Sequence, residues 1–184
     1  MKNKVIVITG GASGIGFALA KLLASRGALL SLADIQEDTL EKAACTIRAA
    51  GGTILTHVTD VRDPAQVNTF LDSTIKQYGR IDGAANLAGV LGPNMNRLST
   101  AEFSYDEWKF VMDVNATGMF NCLKKELQVI SDGGSIVNAA SVLGLRGTKN
   151  NPAYVASKHA VVGLTRCAAK DAGTKQVRVN AVAP

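Results

Sequence analysis

Val5-Ile6-Val7-Ile8-Thr9-Gly10-Gly11-Ala12-Ser13-Gly14-Ile15-Gly16 is the stretch on which the fold turns. Its first half is continuously apolar, as a strand covered on both faces of a parallel sheet should be. Its second half is rich in glycine, which permits a tight turn and lets backbone approach a pyrophosphate. Beyond it, Ile15, Ala18, Leu19, Leu22 and Leu23 recur at helical spacing as one apolar stripe, and Gly27 closes the helix. Glycines also serve simply to make turns. Here the loop lies between a buried strand and an amphipathic helix whose N-terminus offers free N–H groups and a positive dipole end, which favours a dinucleotide site over a plain turn.

The same alternation continues along the chain. Strands are expected near Leu29–Ala33, Ile54–Val58, Ile81–Leu87, Ser135–Ala139 and Val177–Val182. Helices are expected from Glu37 to Ala50, from Asp63-Pro64 to Gly79, from Ser104 through Leu123, and from Asn151-Pro152 to Ala172, with Gly173 as the last cap. Asp63 followed by Pro64 is a helix start, and Ser104-Tyr105-Asp106-Glu107 has the S-x-x-E form of a capping box. Six strands separated by helices give an α/β fold with a doubly wound parallel sheet in the order 3-2-1-4-5-6. No internal repeat or linker marks a second domain, so residues 1–184 are expected to form one.

Composition narrows the function. The formal net charge of +5 is modest and is not gathered into a basic run, so neither nucleic acid nor membrane binding is suggested. The apolar run after Met1-Lys2-Asn3-Lys4 is too short for a signal-peptide core, and no stretch has the length of a membrane span. Cys45, Cys122 and Cys167 form no CxxC pair; half-buried, reduced thiols are expected, with no metal site and a cytoplasmic location.

Candidate chemistry gathers at the carboxyl ends of the strands, where ligands sit in open α/β sheets. Asp34 follows the glycine loop at the separation of an acid that accepts hydrogen bonds from an adenosine ribose. A surface or helix-capping aspartate is an equal alternative at that position. Tyr154 and Lys158 stand four apart on one helix and so share a face. A nearby ammonium favours a phenolate, so the pair suits a general acid/base acting on an alcohol oxygen. Such pairs also occur by chance. The pair gains weight from Ser141, Asn86, Asp34 and the loop, all at one sheet edge.

Taken together these residues resemble the short-chain dehydrogenase/reductase family in its single-domain Rossmann form. Thr9–Gly16 is similar to the family's TGxxxGxG loop, and Asp60-Val61 to the pair that contacts adenine. Asn86-Leu87-Ala88-Gly89 resembles NNAG, with leucine at the second position. Asn115, Ser141, Tyr154 and Lys158 fall where the Asn-Ser-Tyr-Lys tetrad belongs, and Val179–Pro184 is similar to the segment leading to a Pro-Gly pair.

The resemblance implies an enzyme that interconverts a secondary alcohol and a ketone by hydride transfer. Tyr154 would exchange the proton, Ser141 would hold the substrate oxygen, and Lys158 would lie beside both the tyrosine and the nicotinamide ribose. Asn115 would hold a water linking the lysine to solvent. Gly10, Ser13, Gly14, Ile15, Gly16, Asp34, Ile35, Asp60, Val61, Asn86, Ala88, Gly89, Tyr154, Lys158 and Pro184 are the implied cofactor-binding residues. Ser13, where NADP-preferring relatives often carry a basic residue, joins Asp34 in favouring NAD over NADP.

The family usually continues past this proline with a mobile lid and a seventh strand, so the sequence is expected to be either a fragment of a longer protein or a shortened form. An NAD-binding module or truncated isoform with little turnover is therefore the rival to an enzyme. Extended relatives, epimerases or dehydratases with the same Tyr-Lys pair, fit the glycine spacing less well. A homodimer or homotetramer is expected through the helices that start at Ser104 and Pro152. Substrate choice is assigned to the loop Val142–Asn151, and no chemistry to His57 or His159.

Overall fold

Alternating side chains of Val5–Thr9 (β1) enter two separate cores, and the rest of the fold is built on that division. Ile6 and Ile8 join a cluster with Leu30, Leu32, Leu40 and Ile47 on one face of the sheet. Val7 points the other way, into a larger cluster with Phe70, Leu71, Leu123, Ile136 and Val161. A computed structural model describes residues 1–184 and shows these faces covered by helices.

In chain order, α1 (Gly14–Ser25), β2 (Leu29–Asp34), α2 (Glu37–Ala49), β3 (Thr53–Val58), α3 (Pro64–Tyr78) and β4 (Gly83–Asn86) follow β1. Next come α4 (Tyr105–Met112), a π turn (Asp113–Thr117), α5 (Gly118–Val129), β5 (Ser135–Ala139), α6 (Pro152–Asp171) and β6 (Arg178–Val182). The strands lie in the order β3-β2-β1-β4-β5-β6, and every neighbouring pair is parallel, as the alternation of strands and helices predicts. The outer edge of β6 is unpaired.

Local signals place the helix ends well. Asp63 accepts from the Ala65 N–H with Pro64 at the first turn, and Gly79 closes α3 at φ +79°. Ser104 accepts from the Glu107 N–H, which is half of a capping box. The other half is absent. Glu107 turns away to accept from Asn94 N at 2.9 Å and Asn94 Nδ2 at 2.8 Å. The loop after β4 offers two donors, which outcompete the single N–H of the cap.

Three further expectations are corrected. The buried face of α1 is Gly16 and Ala20, with Phe17, Leu19, Leu23 and Ala24 packed at its margin, whereas Ile15 is 68% and Leu22 47% exposed. Small residues let the helix lie close on the sheet, and that outweighs the most apolar stripe. Gly173 does not cap α6; a 3-10 turn runs over Ala172–Lys175, and Gln176 takes the left-handed conformation at φ +55°. The thiols are not uniformly half-buried, since Cys122 is buried while Cys45 and Cys167 are exposed.

The glycine loop is held by overlap rather than by conformation alone. A Cβ on Gly16 would lie 2.0 Å from the Gly10 carbonyl oxygen, and one on Gly10 would lie 2.7 Å from Ala88 N. Gly14 differs: it has φ +52° and open space around it. Gly16→Ala is therefore expected to lose about 1–3 kcal/mol through forced backbone movement. Gly14→Ala is expected to lose about 1 kcal/mol through left-handed strain. Urea denaturation of both variants checks this, and an unperturbed Gly16→Ala would contradict the close approach.

Candidate active site

Parallel pairing sets β1, β2, β4 and β5 side by side, so the segments after their carboxyl ends share one edge. A groove of about 390 Å³ opens there. Gly10, Ser13, Gly14, Ile15, Gly16, Asp34, Ile35, Asp60, Val61, Ala88 and Gly89, all expected from the sequence, line it. A second groove of about 400 Å³ lies across the sheet against Ile6, Leu19, Leu23 and Val137. Only the first combines a helix N-terminus, glycine backbone and polar groups, which are the features that recognise a phosphorylated ligand.

The two ends of that groove are built differently. At the phosphate end, Ser13 precedes α1 in an extended conformation and makes no side-chain cap, so the first N–H groups of α1 keep their donors free. The positive φ of Gly10 and the contact of Gly16 with the Gly10 carbonyl bring the loop backbone to the surface of the groove. A side chain at Gly10 or Gly16 would collide with neighbouring backbone, and the cradle so formed fits a pyrophosphate. At the far end stands Asp34. Its Oδ2 accepts from Ala12 N at 3.0 Å and its Oδ1 from Gln36 N at 3.1 Å. These contacts give Asp34 a structural role, fastening the glycine loop to β2, and each oxygen retains a free lone pair.

Asp60 and Arg62 form the wall beyond it. Arg62 Nε lies 2.9 Å from both Asp60 oxygens, and Nη2 lies 2.5 Å from Oδ2. This contact holds the Asp60 carboxyl below its ordinary range. The guanidinium also stands 5.8 Å from the centre of the Phe110 ring. Arg62 and Phe110, with Gln36, Thr59, Val90 and Ala139, line the groove without having been expected. Thr59 and Arg62 flank a recognised pair and were within reach of motif reading, whereas Phe110 arrives from a helix that no local pattern ties to this edge.

Tyr154, Lys158 and Asn115 come together beside the groove. Lys158 is buried in α6 and donates to the Ala139 carbonyl at 2.7 Å; its Nζ lies 5.5 Å from the centre of the Tyr154 ring. Burial lowers the Lys158 pKa to about 8. Gly89 separates this ammonium from Asn115, for a Cβ there would lie 3.1 Å from Asn115 Oδ1 and 3.5 Å from Lys158 Nζ. Asn115 sits in the π turn, an irregularity common at functional sites. Its amide accepts from Val90 N at 2.8 Å and donates to Val90 O at 2.8 Å and to Ser157 Oγ at 3.1 Å. Both amide protons are committed, so the side chain works here as a clamp on the loop after β4.

Ser141 opens a 3-10 turn, Val142–Gly144, by accepting from Leu143 N at 3.2 Å. That turn rests directly on α6, since a Cβ on Gly144 would meet the Lys158 carbonyl carbon and oxygen. Two expected cofactor residues lie elsewhere. Asn86 does not turn its side chain to the groove: it is buried and donates to Glu126 Oε2 at 2.8 Å and Asn138 Oδ1 at 3.0 Å, because a carboxamide ending a covered strand finds its partners in the core. Pro184 lies against the Ser141 turn, its carbonyl accepting from Val142 N at 2.9 Å. His159 is exposed and contacts only its own helix, at Val155 O. No three His, Cys, Asp or Glu side chains are grouped to hold a metal ion, and no helix is long and apolar enough to cross a membrane.

Comparison with known proteins agrees with this geometry. The short chain dehydrogenase family profile matches residues 4–184. The short-chain dehydrogenase/reductase aba4 of Botryotinia fuckeliana (strain B05.10) is 49% identical over 183 residues, which is 99% of this chain and 71% of that protein. Levodione reductase of Leifsonia aquatica is 44% identical over 186 residues, 99% of this chain and 68% of that one. Among solved structures, NAD+-bound xylitol dehydrogenase superposes over all of this chain and 70% of its own with a TM-score of 0.92 at 34% identity. With a matching profile across nearly all of its length and relatives well above the level at which sequence likeness shows common descent, the chain belongs to the short-chain dehydrogenase family and is an oxidoreductase acting on CH–OH groups with a nicotinamide cofactor.

Proposed function

We propose that the chain is an NAD-dependent dehydrogenase of secondary alcohols, reversible to ketone reduction, with Tyr154 as general acid/base. The observation that carries this is the buried Lys158 ammonium, held on the Ala139 carbonyl and set against the Tyr154 ring next to the glycine-loop groove. A bound nicotinamide dinucleotide supplies or accepts the hydride. The protein's part is to hold the reacting groups and move the proton. On oxidation, Tyr154 takes the hydroxyl proton while Ser141 donates a hydrogen bond to the same oxygen. Lys158 sets its ammonium against the Tyr154 ring and would hold the nicotinamide ribose. Asn115 keeps Val90 and Gly89 closed on that lysine.

The choice of NAD rests on Asp34 and Ser13. A carboxylate at the ribose position repels a 2′-phosphate, and Ser13 brings no cation. Arg62 is the one cation lining the groove, and Asp60 neutralises it. Levodione reductase and cyclohexanol dehydrogenase, both relatives by sequence, act as their names say on levodione and on cyclohexanol, a cyclic alcohol. A small cyclic secondary alcohol is accordingly the substrate class to test first. Association as a dimer or tetramer is part of the same reading, and the exposed Tyr105 and Trp108 on α4 are consistent with it.

Catalytic efficiency with NAD is expected to exceed that with NADP at least about tenfold, the effect of one contact worth about 1.4 kcal/mol. Equal efficiency would remove the cofactor assignment. Tyr154→Phe is expected to lower kcat by at least about 100-fold with little change in NAD affinity, since a general acid/base contributes that much. Normal turnover in that variant would refute the mechanism. Tight NAD binding with no NADH formed from any secondary alcohol would instead favour a binding module.

A further inference from the structure

Beneath the active site, a chain of polar side chains crosses the core from α5 to α6. Asn86 Nδ2 donates to Glu126 Oε2 at 2.8 Å and to Asn138 Oδ1 at 3.0 Å. Asn138 Nδ2 donates to Thr165 Oγ1 at 3.0 Å, and Thr165 donates to Val161 O at 2.7 Å. Glu126 and Asn138 have no exposed surface, and Asn86 is 1% exposed. Proton bookkeeping in this chain does not close. Glu126 Oε1 and Asn86 Oδ1 are both buried acceptors with no donor. They belong to two planar groups already joined through Nδ2 and Oε2.

No cation compensates the carboxyl. Its neighbour one turn earlier on α5 is the buried Cys122. On the elements packed against it, Asp72 of α3 pairs with Lys125 and Lys76 is exposed, while Asp113 of the π turn pairs with Lys109. On α6, Lys158 is bound to Ala139 O, and Arg166 and Cys167 are exposed. A lone carboxylate so placed costs several kcal/mol by desolvation, on the order of what unfolds a domain. A single proton on Oε1 removes the charge and supplies the missing donor. It closes a ring with Asn86 Oδ1 and leaves the second Nδ2 hydrogen for Asn138.

We propose that Glu126 is a neutral carboxylic acid in the folded protein and serves as a positioning residue, locking the carboxyl ends of β4 and β5 under the Lys158–Ala139 contact. Asn86 is the last residue of β4, immediately before the Leu87–Gly89 segment that lines the groove. Asn138 immediately precedes Ala139, the acceptor of Lys158. Thr165 lies two turns beyond Lys158 on the same helix. The acid thus joins the two strand ends and the helix whose relative placement sets the ammonium. Burial also raises the Glu126 pKa to about 7, partly offset by the Asn86 hydrogen bond. The catalytic relevance of this lock rests on the assignment of Lys158 above; the protonation state does not.

The experiment compares wild type, Glu126→Gln and Glu126→Ala as full chains. Infrared spectroscopy at pH 6 is expected to show a protonated-acid carbonyl band in wild type that is lost in Glu126→Gln; a band present only as carboxylate would overturn the proposal. Because the folded pKa is raised, the stability contributed by Glu126 is full below about pH 4.5 and is lost as pH rises through about 7. Denaturation midpoints should show that loss in wild type and not in Glu126→Gln. Acylation of Lys158, followed by mass spectrometry, is expected to quicken several-fold in Glu126→Ala and to stay at the wild-type rate in Glu126→Gln, which keeps one donor and one acceptor. Unchanged labelling in Glu126→Ala, or equal disturbance in both variants, would sink the positioning role. If Glu126→Ala does not fold, the Glu126→Gln comparison still decides. With turnover present, Glu126→Ala should lower kcat at least about tenfold and Glu126→Gln should not. Absence of turnover in wild type would count against the dehydrogenase mechanism alone, because the infrared and labelling results do not depend on it.

Discussion

Parallel strand pairing is the constraint on which everything else in this molecule depends. Once β1 pairs with β2 on one side and β4 on the other, all their carboxyl ends must finish at one edge. The chain can return to the opposite edge only through a helix, and each helix then covers a face. The glycine loop, Asp34, the Ala88-Gly89 corner and Ala139 are neighbours for that reason alone, though more than one hundred residues separate the first from the last. Without the overlap of Gly16 on the Gly10 carbonyl, the first helix would stand away from this edge and its N-terminal donors would not face the groove.

Two buried charges were at issue, and the structure treats them in opposite ways. Lys158 is given a carbonyl at hydrogen-bond distance and an aromatic face, so it stays usable as a cation while burial makes it a weaker base. Glu126 is given a carboxamide and no cation, a setting in which the neutral form is the one that satisfies its neighbours. The two are linked in series: Asn86 donates to both Glu126 and Asn138, and the carbonyl of the next residue, Ala139, holds Lys158. Asp34 follows a third course: it remains at the groove and holds the loop by accepting from two backbone N–H groups.

Much of this was legible in order along the chain. The buried run Val5–Thr9, the Asp63-Pro64 start and the Gly79 stop each depend on contacts within a few residues, and each is where the pattern puts it. The misreadings have a common cause. The stripe Ile15–Leu23 was the most apolar on α1, yet the sheet buried Gly16 and Ala20 and left Leu19 and Leu23 at the margin, because closeness of approach mattered more than apolarity. Glu107 matched a capping box, but Asn94, thirteen residues away, offered two donors. Asn86 matched a strand-end motif, and its side chain nonetheless went to a glutamate forty residues on.

The sequence by itself determined the alternation of elements, the sheet order and the glycine cradle. These follow from periodicity, from turn chemistry and from ordered motifs, all of which are written in neighbouring residues or in their order. Only the tertiary structure decided which face each helix turned inward, that Arg62 and Phe110 wall the groove, that Asn115 clamps Val90, and that Glu126 lies buried without a cation beneath the site. A hydrogen bond's partner is chosen by what lies within 3 Å or so after packing, and no local pattern records that.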